Sequence, residues 1–69
     1  MQNQHGPDLP MGFGMQLMQH PAAMHHYGQL RNVEKERLIG YIQSSTTGPE
    51  AKNRIAETVS RLGQGYNTF

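Results

Sequence analysis

The 69 residues contain no cysteine. That excludes disulfides and thiolate metal sites, so a chain this short has no covalent staple to offset a small core. It also points to an intracellular setting, nuclear or cytoplasmic. Long apolar runs are missing too. Nothing approaches the roughly 18 to 20 continuous apolar residues of a membrane span, and the amino terminus lacks the basic start and apolar stretch of a secretory signal. Charge of either sign is scarce: six Lys and Arg against five Asp and Glu leave a formal net charge of +1. Such a balance supplies too weak a field to hold a nucleic-acid backbone unless the cations cluster. One small domain is the ceiling, near the lower limit at which apolar burial offsets chain entropy.

The scarcity of charge is uneven. No charged residue lies between Asp8 and Arg31, and every Lys and Arg stands at or after Arg31. Residues 1–30 hold all five Met, all four His and three of the four Pro. This mixture is typical of flexible arms, so the first 30 residues are expected to be largely irregular, or ordered by a partner. Within them MGFGMQLM, residues 11–18, stands out as an apolar run. Met11, Phe13, Met15 and Leu17 alternate as in a strand added to a sheet edge. Met11, Met15 and Met18 also recur at i, i+4, i+7, and Phe13 and Leu17 at i, i+4, as on a short helix. Gly12 and Gly14 weaken such a helix in isolation, and Pro10 and Pro21 confine it. The run is expected to pack on a helical hairpin, of its own chain or of a second copy.

Residues 31–63 carry mutually consistent helical signals. Asn32 is placed to cap a helix A running from about Val33 to about Ser45, with Leu38, Ile39, Tyr41 and Ile42 on one side. SSTTGP at 44–49 stops it, since hydroxyls compete for the backbone and Gly-Pro does not continue a helix. Thr47-Gly48-Pro49-Glu50 fits a capping box that opens helix B, residues 49–62. Ala51, Ile55, Val59 and Leu62 form its apolar stripe, Glu50/Arg54 and Glu57/Arg61 its i, i+4 ion pairs, and Gly63 its end. Residues 64–69 form a tail with Tyr66 and Phe69. The expected fold is therefore all-α: a hairpin of two amphipathic helices preceded by the arm. Three large aliphatics per helix, about 1.5 to 3 kcal/mol each when buried, do not offset the backbone entropy of some 30 residues, so self-association or a partner should complete it.

Chemistry is poorly represented. His5, His20, His25 and His26 lack metal-ligand spacing and neighbouring acids, even with Met15, Met18 and Met24 counted as soft ligands, so no metal or other cofactor is expected. Ser44, Ser45, Thr46 and Thr47 sit in a helix stop, and the glutamates lie beside basic partners on helix faces. No nucleophile, base and orienting group come together, so the chain reads as non-enzymatic.

Lys52, Arg54 and Arg61 on helix B raise nucleic-acid binding as an alternative. The segment RIAETVSRLGQGYNTF, residues 54–69, resembles part of the bacterial helix-turn-helix proteins, which implies a small nucleic-acid-binding module; the basic residues of helix B, Lys52, Arg54 and Arg61, would be the ones to meet the nucleic acid. Its turn is longer than theirs, and Glu50 and Glu57 share the surface. KERLIGYIQ and GPEAKNRIAETVSRL resemble an early and the last helix of the peptide-capturing domains of poly(A)-binding proteins, without the helices between them.

The reading favoured by the residues themselves is a protein–protein interaction module that self-associates or docks on a larger regulatory protein. Leu38, Ile39, Ile42, Ile55, Val59 and Leu62 would supply the contact energy, with Tyr41 at the periphery. Met11, Phe13, Met15 and Leu17 of the arm would add cover.

Overall fold

In the computed structural model, residues 9–65 are described; the expectations for His5, Asp8, Tyr66 and Phe69 lie outside them. Four helices follow in chain order: α1 (Met11–Gln19), α2 (Pro21–Gly28), α3 (Asn32–Gln43) and α4 (Gly48–Gly63). The fold is all-α, with no strand among the described residues.

Residues 11–28, expected to be largely irregular, form α1 and α2. The reason is tertiary. Phe13 and Leu17 are completely buried, and side chains of that size contribute about 1.5 to 3 kcal/mol each, more than the roughly 1 kcal/mol that each of Gly12 and Gly14 costs a helix. Packing of an apolar face, not propensity, stabilises most short helices. Pro21 sets the break between the two. It disfavours helical geometry at the preceding residue, and His20 is extended with φ −132° and ψ 86°, so that Pro21 serves as the first residue of α2.

Helix α4 is the element every other helix touches, α2 most extensively. Around it gather Phe13 and Leu17 of α1, Ala23 and Tyr27 of α2, Leu30 of the connection, and Leu38, Ile39 and Ile42 of α3, against Val59 and Leu62 of α4 itself. Phe13 meets Tyr27 edge to face, with ring centroids 5.5 Å apart at 80°. Residues 11–18 therefore pack on their own chain, and the apolar faces of α3 and α4 are covered from within it.

The helix ends are built by side chains. The N-cap of α3 is Arg31, one residue before the expected Asn32, because the Glu34 carboxylate accepts the Arg31 backbone N–H at 2.9 Å. Helix α3 ends at Gln43, two residues early, where the Ser44 and Ser45 hydroxyls donate to Tyr41 O at 2.9 Å and Ile42 O at 2.6 Å. At α4 the Thr47 hydroxyl accepts from the Glu50 N–H at 3.1 Å, while the Glu50 carboxylate takes the Thr46 N–H and hydroxyl, both at 2.9 Å. Beyond Gly63 the chain turns through Gly65, whose φ of 87° favours glycine.

Candidate functional site

With Phe13 and Leu17 turned inward, the 3.6-residue period of α1 turns Met11, Met15 and Met18 outward. They are 80%, 55% and 76% exposed, and Leu9 just before the helix is 42% exposed. No residue of α1 is ionisable, so the face is neutral as well as apolar. Together the three methionines leave an exposed apolar face on α1, and the largest apolar patch of a single chain is often a functional one. Methionine suits such a surface because its unbranched thioether adapts to many shapes.

The residues expected to form an interface are divided by the fold. Phe13 and Leu17 lie in the core with Leu38, Ile39, Ile42, Val59 and Leu62. Ile55 is half-buried, its Cδ1 close to Gly12: a Cβ built on that glycine would stand 3.3 Å away. Met11 and Met15 are exposed on α1, joined there by Met18, which the i, i+4, i+7 spacing already grouped with them.

Tyr41 is exposed but engaged. Its hydroxyl donates to Glu57 at 2.7 Å, and that hydrogen bond, with the carboxylate charge beside it, raises the phenol above its ordinary value. The Arg54 guanidinium lies 4.6 Å from the Tyr41 ring centroid and donates to Tyr41 O and Ser44 Oγ, both at 2.7 Å. It thereby satisfies a carbonyl left over at the end of α3. Arg54 also pairs with Glu50 at 2.7 Å, and Arg61 with Glu57 at 2.9 Å. The backbone and hydroxyl donors of Thr46 hold the Glu50 carboxyl below its ordinary value, with Arg54 adding to the effect. Two of the three cations expected to face a phosphate backbone are thus paired with carboxylates between α3 and α4. Lys52 stands apart from them, on the side of α4 that faces α1.

The three described histidines, His20, His25 and His26, do not converge on one site. His26 Nδ1 contacts Leu62 O; a carbonyl only accepts, so Nδ1 carries the proton and the ring caps the end of α4. The His25 ring, its centroid 5.6 Å from that of His26, meets the Gln29 amide instead. Among the described residues no three His, Cys, Asp or Glu are placed to hold a metal ion. Nor, among the described residues, is any helix long and apolar enough to cross a membrane.

Sequence reading missed Tyr27, Leu30 and Thr58. The first two continue an Ala23, Tyr27, Leu30 stripe at i, i+4, i+7 that the polar composition of the segment masked. Tyr27 is buried enough to raise its phenol, and Lys35 Nζ lies 5.3 Å from its ring centroid. Thr58 sits on the α4 stripe, buried because its hydroxyl donates to Arg54 O at 2.8 Å. Set against known proteins, the chain matches no family model, no curated protein and no solved structure.

Proposed function

We propose that the chain is a non-enzymatic protein–protein interaction module that self-associates through the outward face of α1. In this reading the α3–α4 hairpin is the base, and Met11, Met15 and Met18 are the contact. The observation that carries it is a charge-free helix exposing three methionines on one face while its other apolar residues fill the core. A second copy suits this face because like meets like without cost. Two α1 helices crossing at a twofold axis set methionine against methionine, with no repulsion between like charges and no ion to desolvate. With neighbouring groups the contact would bury about 1,000 Å² in total, the lower bound for a specific interface, so the dimer is weak and concentration-dependent. The hairpin aliphatics act indirectly, by holding α1 in place.

An intracellular setting, nuclear or cytoplasmic, is part of the same reading, supported by the lack of cysteine. Nucleic-acid binding through Lys52, Arg54 and Arg61 is less well supported, given the carboxylates beside the two arginines.

Sedimentation equilibrium across a concentration series tests the proposal. The wild type should pass from monomer to dimer with little dependence on salt, and Met15→Glu should remain a monomer of unchanged helicity. A wild type that stays monomeric, or a Met15→Glu variant that dimerises as well, would overturn it.

A further inference from the structure

A second surface lies on the flank of α1 turned roughly 100° from Met11 and Met15, the angle of one residue step along a helix. There an open groove runs along α4, made of three adjoining cavities of about 480, 330 and 590 Å³: α1 and the start of α2 wall the first, α1 walls the second, and described residues of α4 alone line the third. The first two share Gln16 and Ala56, and the last two share Lys52 and Ile55. The groove thus runs from Gly63 at one end of α4 to Gly48 at the other, a span of about 22 Å at the helical rise. Its floor is made of small and apolar residues: Ala51, Ile55, Ala56 and Val59. Gly12, Gln16 and Gln19 form the α1 side.

Among the described residues the charge in this groove has one sign: Lys52 lines the half nearer the start of α4, and no described carboxylate lines any of the three cavities. Glu50 and Glu57 are drawn instead to Thr46, Arg54, Tyr41 and Arg61. An extended peptide would lay unpaired backbone amides against a mostly apolar floor, and the described residues offer no sheet edge to pair them. A helix satisfies its own backbone and matches the length of the groove.

From this we infer that the groove along α4 binds an amphipathic helix of another protein. Its apolar face lies on Ile55 and Ala56, and a carboxylate sits over Lys52. The groove does not depend on the methionine face, so each can fail alone.

The test is a selection of unconstrained random 16-residue peptides on the full chain, followed by fluorescence anisotropy of the enriched sequences. Enriched peptides should carry apolar residues at i, i+3 or i+4, and i+7, with Asp or Glu at one shared position. Lys52→Glu should weaken them about fivefold or more, and exchanging the peptide's acid for lysine should restore affinity for that variant. Ala56→Gln, which fills the floor from an exposed position, should weaken them as well, and Met15→Glu should leave them unchanged. Overturning results are the absence of any enriched peptide, enrichment of proline-containing or period-two sequences, or binding indifferent to both Lys52→Glu and Ala56→Gln.

Discussion

Replacing Leu17 by alanine probes whether α1 belongs to the core. Leu17 is completely buried and sits beside Phe13 against α4. The substitution removes three carbons, worth about 0.8 kcal/mol each in transfer alone, or about 2.4 kcal/mol. A rigid site would add a cavity term and carry the loss towards 5 kcal/mol, as in deep cores. Helix α1 has only nine residues, two of them glycine, and will settle or fray instead of holding a void open, so a loss of about 2 to 3 kcal/mol is expected. A domain of this size has roughly 3 to 5 kcal/mol of total stability, so Leu17→Ala should remove half or more of it. In melts followed by far-ultraviolet circular dichroism at low micromolar concentration, the midpoint should fall by about 10 to 20 °C. Met15→Ala, two residues away but exposed, should move it by no more than a few degrees. A Leu17→Ala midpoint within about 2 °C of wild type would refute the packing of α1 on α4.

Three further outcomes follow from the helix ends and one exposed turn. His26→Ala removes a ring donor from Leu62 O and should cost about 1 kcal/mol in urea denaturation; no measurable change would show that the contact contributes nothing. Gly40→Ala adds a methyl where no atom lies within 4 Å and should stabilise α3 by about 0.5 to 1 kcal/mol, whereas a loss would mean that the turn is crowded. Glu50 titrates lower folded than unfolded, so its contribution is complete above the ordinary value of 4.5 and is lost as pH falls through the folded value. Stability profiles taken downward from about pH 5 should therefore be shallower for Glu50→Gln than for wild type, and parallel profiles would contradict the assignment.

How far the sequence could be read depended on whether local spacing or remote contact decided a residue's place. Helix α4 was legible because its cap, its ion pairs and its stripe all lie within 16 residues. The inward pair Phe13 and Leu17 and the outward trio Met11, Met15 and Met18 were legible as a helical alternative, yet composition spoke for an irregular arm. Composition misleads there because two buried side chains suffice to fix a nine-residue helix once α4 offers a surface. Helix α2 was not legible at all: PAAMHHYG places only Ala23 and Tyr27 inward, and neither histidine nor a small alanine announces a core face. Periodicity showed that the stripes of α3 and α4 needed cover. Only the fold supplies that cover from the chain itself, and it moves the exposed apolar surface from the hairpin to α1. Lys52 was grouped with Arg54 and Arg61 because all three share one helix. They separate because Arg54 and Arg61 meet carboxylates beside α3 and Lys52 faces α1.

The most direct measurement of that central claim is a concentration series of methyl-resolved nuclear magnetic resonance spectra, with the methionine methyl and isoleucine δ1 groups labelled. The ε-methyl signals of Met11, Met15 and Met18 should shift together along one binding curve while the δ1 methyl of buried Ile42 stays fixed. Methionine signals that do not move with concentration, or a curve carried by Ile42 instead, would contradict self-association through α1.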